Sequence, residues 1–228
     1  SNDVVLFPFM AEYLKEVEPN IASKISFEEN QLKGFDAVIA TGSNNTARYF
    51  EYYFGKVPNI IRKNRNSVAV LTGEESSAQL QALGADMFRY YGLGCRSVSK
   101  LFVPQDYDFD TFFKAVYGFS SIIQQQKYSN NYDYNKAVYL MSEFKILDNG
   151  FLMLKEDESY ASPIASVFYE GYDSLKKLKT KLSADSEKIQ CIVGSGILEN
   201  EIPLGQTQKP KLADYADGVD TVEFLLRT

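Results

Sequence analysis

The sequence predicts an α/β fold built on a largely parallel sheet, and three observations carry that prediction. Short apolar runs of strand length alternate along the chain with longer stretches of helical period. The runs at 35–40 and 67–71 are apolar on both faces, as strands covered by two helical layers must be. Turn residues stand where one element should give way to the next: Gly34, Gly42, Gly92 and Pro104.

Leu6, Phe9, Met10, Tyr13, Leu14 and Val17 form one helical stripe, with Pro8 tolerable in the first turn. The run 35–40 between two glycines predicts a buried strand, and 44–54 an aromatic helix, so Thr41-Gly42-Ser43 faces a helix N-terminus. A second strand at 67–71 leads to a helix over 78–91 through Leu80, Leu83, Met87, Phe88 and Tyr91, closed by Gly92 as a left-handed cap. A tight loop bearing Cys95 precedes a strand at 100–103. Helices are expected at 109–125 and 134–144, with the polar patches 124–126 and 129–131 as their connection. Strands are expected at 151–154, 164–168, 188–193 and 219–226, with a helix over 172–182.

Composition removes several function classes. Of 228 residues, 45% are hydrophobic and 24% charged, the balance of a globular chain rather than a disordered one. A net charge of −6 and a pI near 4.9 argue against a polyanion partner, so nucleic acid is not expected. There is no histidine, which removes imidazole-based triads and most zinc and iron sites. Two cysteines, Cys95 and Cys191, are too few for a cysteine-rich metal centre, and no metal is expected. No run approaches the roughly 18 apolar residues of a membrane span, and Ser1-Asn2-Asp3 does not open a signal peptide; a cytoplasmic protein is expected.

Cys95 lies between Gly94 and Arg96, in a loop whose free amides and neighbouring cation favour thiolate and could hold an oxyanion. The competing reading is a small core thiol; Cys191, in an apolar run, reads as core. Thr41-Gly42-Ser43 is either a phosphate or ribose site or a simple helix cap. Gly194-Ser195-Gly196 has Glu199 where a dinucleotide fingerprint needs its third glycine, so it reads as a turn. The cluster Arg62-Lys63-Asn64-Arg65 reads as solvated surface.

The stretch FDAVIATGSNNTARYFEYYFGKVPNIIRKNRNSVAVLTGEES, then LGADMFRYYGLGCRSVSKLFVP and the tail PLGQTQKPKLADYADGVDTVEFLL, resembles the long-chain acyl-CoA (fatty acid) reductase family of bacterial luciferase systems. That family lies within the aldehyde dehydrogenase superfamily. The resemblance implies an aldehyde-dehydrogenase-like fold: a parallel-sheet Rossmann-type half domain plus an α/β catalytic domain. By the same resemblance Cys95 is the catalytic nucleophile that takes the acyl group as a thioester. Thr41, Gly42 and Ser43 are the turn that meets the phosphates of NADPH or NADH, and Glu158 holds the nicotinamide ribose, although one extra residue stands before Pro163. Where aldehyde-oxidising members of the superfamily carry a water-activating glutamate, the register set by Arg65-Asn66-Ser67 places Ile61, which fits reduction rather than hydrolysis.

The implied division is 1–60 as the C-terminal part of a nucleotide-binding domain, 61–170 as the catalytic domain, and 171–228 as completion of the fold with a terminal oligomerisation-type strand. The family carries an N-terminal portion ahead of residue 1, so the chain is expected to be a fragment, weakly active or inactive alone. Implied partners are a CoA or carrier-protein thioester and either a second copy or an acyl-supplying subunit. Two rivals stand beside the reductase: a nicotinamide-independent acyltransferase or thioesterase using Cys95, and a scaffold of the same fold that has lost its chemistry.

Overall fold

The computed structural model describes residues 4–228; the start Ser1-Asn2-Asp3 lies outside them. The chain runs through α1 (Leu6–Val17), β1 (Val38–Thr41), α2 (Asn44–Phe54) and β2 (Asn59–Arg62), then β3 (Asn66–Val70), α3 (Ser77–Phe88) and β4 (Val98–Pro104). There follow α4 (Phe109–Val116), α5 (Gln126–Met141), β5 (Ile146–Asp148), β6 (Met153–Glu156), β7 (Ser166–Tyr172), α6 (Leu175–Ala184), β8 (Ile189–Gly194), β9 (Ile202–Pro203) and α7 (Thr221–Leu226).

Two sheets result. β1 and β2 pair parallel across α2 as a two-stranded sheet, with Val38 opposite Asn59 and Thr41 opposite Arg62. The other seven strands lie in the order β5-β6-β7-β4-β3-β8-β9. Every neighbouring pair in it is parallel except β5 and β6. The α/β architecture with a mostly parallel sheet is therefore present.

The pleat of the central strands divides the core. Ala69, Leu101 and Val103 face Leu80, Leu83 and Met87 of α3 and Phe112 and Val116 of α4. Val68, Val70 and Phe102 face the opposite way, onto Leu178 and Leu182 of α6. Helix α5 covers the β6–β7 end, packing Tyr128, Tyr132 and Tyr139 on Met153 and Phe168. Two polar residues at the start of α3 organise its entry: the Ser76 hydroxyl accepts the Gln79 amide at 3.3 Å while the Gln79 side chain accepts the Ser76 amide at 2.9 Å.

Several expectations need correction. The patch 129–131 lies inside α5, because buried Tyr128, Tyr132, Asn135 and Tyr139 recur at helical spacing and leave the polar residues between them facing outward. The helix expected over 109–125 changes pitch after Val116 and continues as a 3-10 turn over Tyr117–Gln124. The strand expected at 35–40 is confined to Val38–Thr41, and only Val38 of its residues is buried. The terminal strand expected at 219–226 is instead α7: Asp220 caps it by accepting the Glu223 amide at 2.8 Å, and Arg227 pairs with Glu223 one turn on. The cluster 62–65 is not simply solvated either. Arg62 and Arg65 lie 3.5 and 3.7 Å from the carboxylate of Asp217, which ties the C-terminal segment to the end of β2.

Candidate active site

Helix α3 ends in an unusual backbone. Tyr90 and Tyr91 both have left-handed φ, 56° and 60°, and Gly92 follows at 73°. Two bulky residues in that region are strained by about 1 kcal/mol or more each. The left-handed Gly92 foreseen from the sequence is thus the last of three such residues. Beyond it the Ser97 amide donates to the Gly94 carbonyl at 2.8 Å, a tight turn with Cys95 and Arg96 at its corner. Cys95 is exposed and unpaired with Cys191, which is buried in β8. The Cys95 carbonyl accepts the Ser67 hydroxyl at 2.9 Å. Among the described residues the amides of Cys95 and Arg96 donate to no carbonyl or side chain, so two N–H groups stand free beside the thiol.

Arg96 also has a partner outside the turn: its Nε donates to the Thr207 carbonyl, which ties the turn to the C-terminal segment. Burial pushes the Cys191 thiol up, against a bond to Ser67 and the charges of Arg96 and Arg65. Cys191 is therefore a protonated core thiol, as its apolar run indicated.

A cavity of about 520 Å³ opens beside the cysteine loop, lined by Tyr91 and Leu93 on one side and by Gln125, Lys127, Tyr128 and Ile164 on the other. Its far wall comes from the start of α5 and from the loop 157–165 between β6 and β7. That loop carries Glu158 and is pinned to β4: Lys100 Nζ donates to the Asp157 carbonyl at 2.8 Å and the Ser99 hydroxyl to the Tyr160 carbonyl at 2.7 Å. Leu93 of the cysteine loop and Ile164 of the 157–165 loop reach this cavity, but Cys95 is not among its lining residues. Glu158 itself is exposed on the loop and is not among the cavity's lining residues.

Lys100 is fully buried on β4, 2.6 Å from Glu170, whose other oxygen meets Lys181. Burial lowers the Lys100 pKa, opposed chiefly by Glu170. The ammonium also lies 5.0 and 5.3 Å from the ring centres of Phe102 and Tyr160.

Thr41-Gly42-Ser43 sits at the carboxyl end of β1, as expected from the strand-turn-helix pattern. The Ser43 hydroxyl accepts the Thr46 amide at 3.2 Å and caps α2. Gly42 lets the strand end approach that helix: a Cβ there would meet the Thr46 side chain at 2.8 Å. The cap leaves the amides of Asn44 and Asn45 without partners among the described residues, so capping and anion binding are compatible here. The amides that follow Gly194-Ser195 are taken up by the chain itself. Glu201 accepts the amides of Gly196, Ile197 and Leu198 at 2.6, 3.0 and 2.7 Å, a nest filled by the chain's own carboxylate.

One cluster escaped the sequence reading. Asp86 of α3, 1% exposed, accepts the Gly205 amide at 2.6 Å, the Thr207 amide at 3.0 Å and the Thr207 hydroxyl at 2.8 Å. Burial pushes its carboxyl up, opposed by these three donors. A carboxylate among Leu83, Met87 and Phe88 on a core-facing stripe was the available signal.

Among the described residues no group of three or more His, Cys, Asp or Glu could hold a metal, and no helix is long and apolar enough to cross a membrane. No family model and no curated protein matches the sequence. Solved structures do match the fold. The γ-glutamyl-γ-aminobutyraldehyde dehydrogenase of Burkholderia cenocepacia aligns at TM-score 0.50 and 11% identity over 70% of this chain and 39% of its own. The aldehyde dehydrogenase KauB of Pseudomonas aeruginosa aligns at 0.50 and 11% over 70% and 40%. The indole-3-acetaldehyde dehydrogenase AldA of P. syringae, solved with NAD+ and IAA, aligns at 0.50 and 11% over 73% and 41%. The chain therefore has an α/β fold that matches part of aldehyde dehydrogenase structures, and it spans about 40% of their length.

Proposed function

We propose that this chain carries the cysteine-bearing part of an NAD(P)H-dependent acyl-CoA reductase, with Cys95 as the nucleophile. The observation that carries the reading is the placement of Cys95: an exposed thiol at the corner of a turn with two free amides, two residues after Leu93, which lines a cavity of about 520 Å³. The dehydrogenase-like fold and the sequence resemblance support it.

In this reading the Cys95 thiolate attacks the carbonyl carbon of an acyl thioester. A carbon–sulfur bond to Cys95 forms, the bond to CoA breaks, and CoA leaves as its thiolate. The amides of Cys95 and Arg96 are the donors available to the transient oxyanion. No imidazole is needed, in keeping with a chain that has no histidine. Thr41, Gly42, Ser43 and the first amides of α2 would hold the phosphates of NADPH or NADH, and Glu158 its ribose. The reduced cofactor supplies, when bound, the hydride for release of the aldehyde. The proposed division places 1–60 with the nucleotide-binding portion and 61–170 with the catalytic portion; 171–228 completes the fold.

Intact-protein mass spectrometry after incubation with a long-chain acyl-CoA tests this. The expected result is one acyl-sized mass gain that is absent in Cys95→Ala and is discharged by NADPH. Discharge without consumption of NADPH would favour an acyltransferase or thioesterase. Labelling that survives Cys95→Ala, or no labelling even with the remaining portion of the enzyme supplied, would end the reductase reading and favour a scaffold.

A further inference from the structure

The turn that presents Cys95 is not held by its own residues alone. It touches the segment 204–208, more than a hundred positions away in sequence, and that segment is anchored by one buried carboxylate. Asp86 gathers three donors from Gly205 and Thr207 at 2.6 to 3.0 Å. Gly205 makes the approach feasible: its φ is 81°, and a Cβ there would meet the Ala82 Cβ at 2.9 Å. Thr207 is completely buried, and its carbonyl accepts Arg96 Nε. The next residue, Gln208, reaches the Ser97 hydroxyl at 3.4 Å. Both side chains that follow Cys95 in the turn are thus held by a segment that Asp86 fastens to α3.

We propose that Asp86 is a positioning residue for Cys95, acting through Thr207 and Arg96 to fix the turn that carries the thiol. The proposal rests on the reading of Cys95 as the nucleophile. An ionised Asp86 meets two backbone amides and a hydroxyl as a pure acceptor, whereas an asparagine would point donor hydrogens at one of those amides. Its replacement loosens 205–207, releases the Thr207 carbonyl from Arg96, and lets the 94–97 turn fluctuate. The thiol is then presented in a less fixed position with less constant surroundings, and it reacts more slowly.

The test is iodoacetamide alkylation of the full chain, followed as a function of pH by peptide mass spectrometry at Cys95. Wild type is compared with Asp86→Asn, Thr207→Val and Thr207→Ser, and thermal midpoints are recorded alongside. Asp86→Asn and Thr207→Val are expected to slow alkylation near neutral pH by roughly threefold or more and to change its pH profile. Thr207→Ser, which keeps the hydroxyl, is expected to retain the wild-type profile. If Asp86→Asn fails to fold, the Thr207 pair decides the matter. Variants that lose thermal stability while Cys95 keeps its wild-type rate and midpoint would overturn the proposal, leaving these bonds as a staple for the C-terminal segment. Alkylation uses no acyl substrate, so a chain that refuses acyl-CoA would defeat the reductase reading without deciding this result.

Discussion

The two sheets of this molecule are built from similar strand-helix units and have opposite surroundings. In the seven-stranded sheet, β3 and β4 are central, covered on one side by α3 and α4 and on the other by α6, and Leu101 and Phe102 are both 0% exposed. In the β1–β2 sheet the same kind of parallel pairing stops at two strands, and Ile39 is 42% exposed. Helix α1 has a well-formed apolar stripe, yet Phe9 and Val17 remain 68% and 66% exposed and only Ala11 is buried. The contrast teaches that an amphipathic pattern specifies an element without supplying what it packs against. The proposed chemistry is divided between these surroundings, with Cys95 on the covered sheet and Thr41, Gly42 and Ser43 on the sparse one.

Hydrogen exchange should give the largest separation. The amides of β3 and β4 can exchange only when the large sheet opens, whereas α1 and β1 need little more than local fraying. A difference on the order of a thousandfold in protection is expected. Equal protection across 6–62 and 66–104 would break the comparison. Side-chain truncation should sharpen it next. Leu101→Ala removes a fully buried side chain and is expected to cost about 3 kcal/mol in denaturant unfolding. Phe9→Ala, at a larger but exposed side chain, should stay within about 0.5 kcal/mol. A Phe9→Ala cost approaching that of Leu101→Ala would mean that α1 is packed in solution.

The same contrast explains what could be read from the sequence. Strands β3, β4 and β8 and helices α1 and α3 were legible because apolar spacing and turn residues are local signals. So was the exposed turn at Cys95, marked by Gly92 and Gly94. Helix α5 was only half legible, since its buried tyrosines are separated by asparagines that mimic a loop. The edge strands β5 and β9, three and two residues long, carry too little pattern to be seen. Helix α7 was misread because 219–226 has a strand's composition, while its fate depends on the Asp220 cap. The Asp86–Thr207 contact joins positions 121 apart, and local periodicity carries no information about such a pair. Lys100 escaped for the same reason, its partner Glu170 being fixed by the register of β4 against β7.

Charged pairs repeat the comparison at smaller amplitude. Burial would raise Asp157, but the Lys155 ammonium and the Ser159 amide outweigh it and hold the carboxyl down at about 2. A carboxyl depressed by folding stabilises above its unfolded pKa of about 4, and that contribution disappears as pH falls toward its folded value. Asp157→Asn is therefore expected to lower stability by about 1 kcal/mol at neutral pH, with the difference from wild type closing between about pH 4 and pH 2. Glu12→Gln removes the Lys15 pair of α1, at 2.8 Å but with the Glu12 side chain 71% exposed, and should change unfolding at neutral pH very little. A difference for Asp157→Asn that persists unchanged below pH 2 would assign the effect to packing rather than charge.

The smallest effect is the most discriminating, because it uses one chemical group in both surroundings. Ser76 caps α3 and Ser43 caps α2, each hydroxyl accepting a backbone amide three residues on, at 3.3 and 3.2 Å. Alanine at either position removes the same bond, worth about 1 kcal/mol to its own helix. Helix α3 buries six residues in the core of the large sheet, so it unfolds only with that sheet, and the full loss should appear in the global unfolding free energy. Helix α2 buries only Ala47, so it can open while the rest stays folded. Ser43→Ala should therefore raise local amide exchange in α2 severalfold and move the global midpoint by well under half the Ser76→Ala shift. Equal global shifts would mean that the two sheets unfold as one cooperative unit, in spite of their different burial.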